Sequence, residues 1–208
     1  DQAGNAAAFS SGATYAVVDA VRNGDFATGN FSDWQSNGLL RKAVVAVDGP
    51  YGDTILAARL GSPEYGPSIE EPGEVPAGDA TIRQTITVPP LTQIARPTLR
   101  LWHRVFSYDV FYSDRLGQYV DTLEVTLHNA AGPLGEPLLR TGNKTGTWGT
   151  LHDTGWHQVS IDLSPYAGKT LDLVIASYNR HDNLFNTWSF VDGIQVQDWP
   201  STRRTYLP

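Results

Sequence analysis

An aromatic segment near the middle of the chain is the densest group of side chains able to bind a ligand. Its aromatic members are Phe106, Tyr108, Phe111, Tyr112 and Tyr119, with Asp109, Ser113 and Asp114 between them. A second segment, 181–186, adds Asp182 and Phe185. Antiparallel strand order would place both segments at one end of a sandwich. Aromatic rings stack on sugars while Asp and Asn bond hydroxyl groups, so the chemistry fits a glycan site. A protein interface and a hydrophobic plug are the other two interpretations.

Trp102 lies between Arg100 and Arg104 in a strand-like stretch. Alternation along the strand places all three on the face opposite Leu99 and Leu101. Cation–π contacts between Arg and Trp are a sufficient structural reason for the group. A binding role for Trp102 is the alternative.

The signatures of catalysis are weak. The five His include no H-E-x-x-H pair, and His152 and His157 are separated by a glycine turn rather than placed on one strand face. The sequence contains no G-x-S-x-G, and no strand carries the closely repeated acids that glycosidases use. We therefore expect a protein that acts by binding and not as an enzyme.

Period-2 alternation of apolar residues predicts the elements that position these side chains. It recurs at 82–88, 99–106, 123–128, 159–163, 171–175 and 190–196, and two more apolar runs cover 39–47 and 54–60. One helical turn is expected at 164–168. The pattern predicts an all-β sandwich of two antiparallel sheets with about nine or ten strands over residues 22–199. Residues 1–21 are read as an N-terminal extension and 200–208 as a C-terminal tail.

Composition limits the classes of partner. A chain of 208 residues with 40% hydrophobic residues can bury a substantial core as one domain, without the disulfides that its lack of Cys excludes. The net charge of −7 is spread along the chain and provides no basic stripe for nucleic acid. No apolar run approaches the roughly 20 residues that span a bilayer.

Several features favour a location outside the cell. The sequence contains no Met and begins Asp1-Gln2-Ala3, as expected of a secreted protein whose signal peptide has been removed. Asn30 and Asn143 stand in N-x-[ST] acceptor patterns for glycosylation, and Asn143 falls in the loop expected to be more accessible. We expect an extracellular or cell-surface protein.

Five segments, in order, resemble one class of secreted bacterial domain. They are Asn23-Gly24-Asp25-Phe26 with Trp34, then 52–61, 81–86 and 156–169, and finally Thr187-Trp188-Ser189-Phe190-Val191-Asp192-Gly193-Ile194. Together they resemble the jelly-roll sandwiches of carbohydrate-binding modules and MAM-like domains, with the first and last segments as the closing strands. The resemblance implies a jelly roll that binds or assembles.

Many domains of this class hold a structural calcium ion near the first and last strands. The resemblance places Asp25 and Asp192 at the ligand positions, with oxygen ligands as Ca²⁺ requires. The class usually has Glu after the Phe, where this chain has Ala27, so one carboxylate is missing. The alternative is that both acids accept backbone hydrogen bonds in tight turns.

Two functional hypotheses follow. The first is a self-assembling subunit of an extracellular filament, in which the N-terminal segment adds a strand to a neighbouring copy. Tyr15, Val17, Val18 and Val21 would be the donor residues. The alternative is a carbohydrate-binding module that recognises a polysaccharide through its aromatic loop end. The sequence favours assembly slightly.

Overall fold

The computed structural model describes residues 17–65, 75–180 and 185–198. Within these ranges the chain forms fifteen strands and two short 3₁₀ helices, Pro63–Tyr65 and Ser164–Tyr166, the second at the predicted helical turn. The strands are β1 (Val17–Val18), β2 (Gln35–Asn37), β3 (Lys42–Asp48), β4 (Thr54–Leu60), β5 (Gly78–Thr87), β6 (Pro97–Ser107), β7 (Tyr112–Ser113), β8 (Gln118–Tyr119), β9 (Thr122–Asn129), β10 (Gly132–Pro133), β11 (Leu139–Thr141), β12 (His152–Asp153), β13 (His157–Asp162), β14 (Thr170–Asn179) and β15 (Thr187–Asp198).

The strands pair into two main antiparallel sheets. The seven-stranded sheet has the order β12-β6-β15-β4-β3, with β13 paired to residues 98–103 of β6 and β1 paired to β15. The six-stranded sheet has the order β10-β9-β14-β5-β2, with β11 also paired to β9. A separate hairpin joins β7 to β8. The prediction of an all-β sandwich of two antiparallel sheets is confirmed, and ten of these strands have three residues or more.

The core lies between the two sheets and is built by the predicted alternation. Leu99, Leu101 and Val105 of β6 are fully buried and pack against residues of the opposite sheet such as Ile82 and Leu173. The intervening residues of β6 point to the outer face of the seven-stranded sheet, because successive strand side chains point to opposite faces. The outer face therefore presents the Arg100, Trp102 and Arg104 group predicted from sequence.

The two closing segments meet as the resemblance implied. The Ile194 N–H donates to the carbonyl of Gly24 at 2.9 Å. A β-carbon at Gly24 would collide with the Ile194 carbonyl, so glycine is required by the close approach of the two backbones. Phe26 is buried against Trp34, with ring centroids 5.9 Å apart, and closes this end of the core.

The first described residues pair within their own domain. Val17 and Val18 pair with Gln197 and Val196 of β15, and Val21 packs against the main core. Tyr15, the remaining residue of the predicted donor strand, lies outside the described residues, as does the tail at 200–208. The boundaries at residues 22 and 199 stay predictions.

Neither helix in the described residues has the length and apolar character needed to cross a membrane.

Candidate functional site

A second hydrophobic cluster lies outside the main core. It consists of Ala57, Trp188 and Phe190, with Val45, Val47, Ile55, Phe106, Tyr108 and Trp156 packed around them. Phe190 is paired with Arg104 on one side and Arg59 on the other, so its side chain shares the outer face of the seven-stranded sheet with them. The Phe106 and Trp188 rings stack there with centroids 5.1 Å apart. We call this outer surface of β4, β15 and β6 the aromatic face.

Trp156 crosses the aromatic face from its edge. It follows the turn between β12 and β13, where Gly155 has a positive φ of 71°. Its indole Nε1–H donates to the carbonyl of Asp48, at the end of β3, at 2.8 Å. The ring passes Phe190 with centroids 6.4 Å apart. This contact joins the two sides of the sheet above the aromatic cluster.

Trp102 and Tyr51 form the more accessible part of the aromatic face. Trp102 of β6 is half-buried, directly paired with Asp192 and Gln158 on the neighbouring strands. Tyr51, in the turn between β3 and β4, is 62% exposed and meets Trp102 edge to face with centroids 5.7 Å apart. The β3–β4 turn therefore extends an exposed ring beside the half-buried indole.

Polar groups beside these rings are held in fixed positions. Arg104 donates from Nε and Nη2 to the two carboxylate oxygens of Asp153, at 2.8 and 2.5 Å. These hydrogen bonds raise the pKa of Arg104 and lower that of Asp153, so both stay charged. Arg100 donates to Gln158. Such paired groups lose little side-chain entropy when they accept or donate further hydrogen bonds to a ligand.

Arg59 differs from Arg104 on the same face. Its side chain is half-buried, and its Nε atom is buried without a hydrogen-bond partner in the described part of the chain. None of the ion pairs found among residues 17–65, 75–180 and 185–198 includes Arg59. The aromatic face thus contains a guanidinium group with donors to spare.

The predicted aromatic loop divides into two groups. Phe106 and Tyr108 join the aromatic face, where Tyr108 lies 6.3 Å from Trp188. Phe111, Tyr112 and Tyr119 form a separate trio around the β7–β8 hairpin. The ring centroid of Tyr119 lies 5.0 Å from that of Phe111 and 5.2 Å from that of Tyr112. The expectation of one aromatic site along this segment is therefore corrected to two. The turn between Phe106 and Phe111 separates them.

Cations flank the trio at the hairpin. Arg140 lies over the Tyr119 ring at 4.4 Å, and Lys144 over the Phe111 ring at 5.1 Å. Tyr112 is 44% exposed. The trio is a second candidate binding surface, although Arg140 already pairs with Glu124 at 2.8 Å.

The start of the aromatic segment lies beside residues 185–186, as antiparallel order predicted. The Tyr108 N–H donates to the carbonyl of Asn186 at 3.0 Å. Phe185 is half-buried. Asp182 lies outside the described residues, so its predicted role stays a prediction.

Asp25 and Asp192, the predicted calcium ligands, lie close enough for their charges to interact. Burial raises the pKa of Asp192 to about 7. The hydrogen bond from the Gly193 N–H acts in the opposite direction, and the charges of Asp25 and Asp53 raise the pKa further. Asp192 Oδ1 is buried without a hydrogen-bond partner. Asp25 accepts the Ala27 N–H at 3.2 Å, the turn contact that was the alternative interpretation.

The fit of a calcium ion at this place is partial. The bare Oδ1 of Asp192 could receive a cation, but Ca²⁺ takes about six to eight oxygens and two carboxylates supply few of them. Across the described residues, no group of three or more His, Cys, Asp or Glu could hold a metal ion. Calcium binding stays a prediction.

The two glycosylation candidates differ in exposure. Asn143 is 1% exposed, and its Nδ2 donates to the carbonyl of Asp109 at 2.7 Å. The expectation that Asn143 is the more accessible acceptor is therefore wrong, because its amide nitrogen is used inside the fold. Asn30 is exposed, and its Oδ1 accepts the Ser32 N–H at 2.7 Å. Modification of Asn30 stays a prediction.

A charged network covers part of the six-stranded sheet. Glu124 of β9 is buried and accepts hydrogen bonds from Arg140 and Arg180 at 2.8 and 2.7 Å. Burial alone would raise the pKa of Glu124, but these two hydrogen bonds outweigh it and lower the pKa. Arg180 also covers the Tyr178 ring at 3.7 Å. The carboxylate is thus paired with two guanidinium groups within the fold.

Sequence analysis missed several members of the aromatic face. Trp188 and Phe190 were assigned to a closing strand without a ligand role, and Arg59 was not considered. The available signal was that Trp188 and Phe190 alternate with Ser189 and Val191, which are buried on the core side. A strand with large apolar residues on both faces indicates that its outer face is covered or binds something.

Comparisons with known proteins identify similar folds. No protein-family profile matches the chain, and no curated protein does. The carbohydrate-binding module TmCBM61, solved with β-1,4-galactotriose, is 12% identical, with a TM-score of 0.46 over 85% of this chain and 96% of that one. The K3 adhesin domain of Lys-gingipain from Porphyromonas gingivalis is 16% identical, with a TM-score of 0.47 over 89% and 100%. A cyclase from Fischerella sp. is 10% identical, with a TM-score of 0.43 over 90% and 99%.

One of these structures is a carbohydrate-binding module, a class that the sequence resemblance named, and the other two are an adhesin domain and a cyclase. Their similarity to this chain concerns the course of the backbone. What each of them binds or catalyses is a property of that protein, and the function of this domain has to be argued from its own side chains.

Proposed function

We propose that the domain binds carbohydrate on the aromatic face. The observation that carries the proposal is the pairing of the exposed Tyr51 ring with half-buried Trp102 beside the fixed Arg104–Asp153 ion pair. Aromatic rings offer flat apolar surface to the C–H groups of a sugar. The neighbouring charged groups offer a hydrogen-bond donor and an acceptor for its hydroxyl groups. Ligand sites commonly combine aromatic side chains with a few polar groups that orient the ligand in this way.

The geometry favours a polymer over a small enclosed ligand. The aromatic face is the outer surface of a sheet, and the half-buried side chains of Trp102, Arg104 and Phe106 follow one another along β6. Strand residues two apart are separated by about 6.6 Å, so these three positions span about 13 Å. A polysaccharide lying along the strand would contact several of them at once.

The proposal also includes an extracellular location and the absence of catalytic activity. An extracellular domain, as expected from the sequence, would meet polysaccharides directly. The absence of catalysis also remains an expectation, since it was inferred from missing sequence motifs. An assay of polysaccharide hydrolysis alongside the binding measurements would check it.

The test is a comparison of two exposed tyrosines. Affinity electrophoresis of the purified domain through gels containing a panel of neutral and acidic polysaccharides would identify a ligand. Tyr51→Ala should then weaken binding by about fivefold or more, since aromatic contact contributes area burial and stacking. Tyr112→Ala, which removes an exposed ring from the hairpin trio, is the matched control.

The outcomes separate the candidate sites. Loss of binding in Tyr112→Ala with normal binding in Tyr51→Ala would move the site to the hairpin, within the aromatic segment predicted from the sequence. Absence of retardation by every polysaccharide would refute the proposed function.

Assembly by strand addition is the second hypothesis from the sequence, and the described contacts favour it less. Val17 and Val18 already pair with β15 of their own domain, which is the arrangement expected of a strand that is not donated. The assembly hypothesis predicts filaments of the purified domain in negative-stain electron microscopy that disappear when residues 1–21 are removed. Monodisperse particles in both samples would contradict it.

A further inference from the structure

We infer that the ligand of the aromatic face is an acidic polysaccharide, with the carboxylate of a sugar residue bound by Arg59. This inference rests on the proposed function and specifies its ligand class. It starts from Arg59, a guanidinium group on the face that takes part in none of the ion pairs found in the described ranges.

The first step is that Arg59 has a buried donor without a hydrogen-bond partner in the described ranges. A buried N–H donor without a partner carries the full cost of its desolvation. The Nε of Arg59 is such a donor, and the rest of its side chain is half-buried beside Phe190. A bound acceptor would satisfy it. The planar donor fork of Arg matches a carboxylate in a two-point contact, which a hydroxyl group cannot reproduce.

The second step is the contrast with Arg104. Arg59 and Arg104 both pair with Phe190, on opposite sides, so they lie in one row across β4, β15 and β6. Two strand spacings separate them by about 10 Å. Arg104 already has both carboxylate oxygens of Asp153, and Asp48 contributes further negative charge near it. The Arg59 side of the face is therefore the one where a ligand carboxylate finds an unshared cation.

The third step places the sugar relative to the rings. Trp102 and Asp192 form the next pair along β6 and β15 on the same face. The residues paired with Trp102, Asp192 and Gln158, supply no cation, so the acidic sugar belongs at Arg59 and a neutral part of the polymer at Trp102. The inference thus predicts an oriented ligand.

The charge of the whole chain makes the inference specific. A protein with a net charge of −7 is repelled by an anionic polymer in general, so binding cannot be attributed to ion exchange. Any retention by an acidic polysaccharide would have to come from a local site.

The experiment compares acidic polysaccharides with their neutral forms. Polygalacturonate, alginate and hyaluronate would each be tested against their methyl-esterified forms by affinity electrophoresis and calorimetry. A neutral galactan and the sulfated polymer heparin complete the panel. The inference predicts binding of at least one carboxylate polymer and weaker binding of its ester.

Variants at Arg59 test the assigned residue. Arg59→Gln should weaken binding of the carboxylate polymer by about tenfold to a hundredfold, the usual range for a lost hydrogen bond to a charged group. Arg59→Lys should fall between, because it keeps the charge without the fork. Arg22→Gln removes an equal charge at an exposed residue of another part of the fold and should bind normally. Near-UV circular dichroism and the melting temperature would show that each variant is folded.

Each outcome has a distinct meaning. Equal binding of acid and ester forms, or binding of the neutral galactan that depends on Tyr51 and not on Arg59, would overturn the inference while the proposed function stands. Arg59-dependent binding of heparin alone would overturn the assignment of a carboxylate. A failure to bind any polymer of the panel would overturn both.

Discussion

The replacement Asp192→Asn is expected to stabilise the domain more at about pH 8 than at about pH 5. Burial of the carboxyl group, with the nearby charges of Asp25 and Asp53, raises the pKa of Asp192 to about 7 in the folded protein. In the unfolded chain its pKa returns to the ordinary value of 3.8. The protonated form is therefore favoured by folding.

The sign of the effect follows from proton linkage. Because the folded pKa is the higher one, the stabilising contribution of Asp192 is complete below the unfolded pKa and is lost as the pH rises through 7. Between about pH 5 and about pH 8 the two pKa values correspond to a loss of roughly 2.5 kcal/mol. The uncharged amide of Asn does not titrate, so the variant escapes this loss.

Because His103 also titrates, the difference in stability between Asp192→Asn and wild type is more informative than the pH dependence of the wild type alone. Burial, with the charges of His157 and Lys144, lowers the pKa of His103 to about 4. Its contribution is present above the unfolded pKa of 6.5 and falls with pH by about 2 kcal/mol between about pH 8 and about pH 5. The two groups nearly cancel in the wild type. Subtracting one protein from the other removes the histidine contribution.

The assay is urea unfolding followed by tryptophan fluorescence at both pH values, in buffer with a chelator that removes calcium. We expect the free energy of unfolding of Asp192→Asn, relative to wild type, to increase by about 2.5 kcal/mol from about pH 5 to about pH 8. Asp114→Asn, which removes a carboxyl group at an exposed residue, is the matched control. The same difference for Asp192→Asn at both pH values would refute the reasoning.

Three further predictions concern the fold and the predicted metal. Glu124→Gln should lower the free energy of unfolding by about 2 kcal/mol in urea titrations, because two guanidinium groups lose their shared carboxylate; an unchanged midpoint would contradict this. Gly24→Ala should lower the free energy of unfolding by about 3 kcal/mol, because its β-carbon would collide with the Ile194 carbonyl. Gly29→Ala is the comparison variant, since Gly29 has a positive φ but open space around it. If calcium binds, adding it should raise the melting temperature of wild type and not of Asp192→Asn; equal melting temperatures with calcium and chelator would reject the site.

Much of the fold could be predicted because alternation is a local signal. The faces assigned to β6 are those observed, with Leu99 and Leu101 buried and Trp102 and Arg104 on the outer surface. The meeting of the first and last strands was also correct, since Gly24 and Ile194 are hydrogen-bonded. These predictions needed only the period of the strand and the order of the motifs.

The candidate site could be predicted only in part, because it depends on pairing between distant strands. Arg59 and Phe190 are 131 positions apart in the chain and meet only through the register of β4 with β15. Nothing local in the sequence indicates that Trp156 reaches the carbonyl of Asp48. The burial of Asn143 likewise depends on its hydrogen bond to Asp109, in another loop. Register and loop closure are set by the whole fold.

The most direct test of the carbohydrate-binding face is an NMR titration of the ¹⁵N-labelled domain, followed at the indole N–H signals of its six Trp. Trp148 is 58% exposed and lies outside the aromatic face, and Trp34 belongs to the core. With a polysaccharide fragment that binds, we predict that the signals of Trp102 and Trp156 shift while those of Trp148 and Trp34 stay in place. Shifts at Trp148 with Trp102 unchanged would contradict binding on the aromatic face.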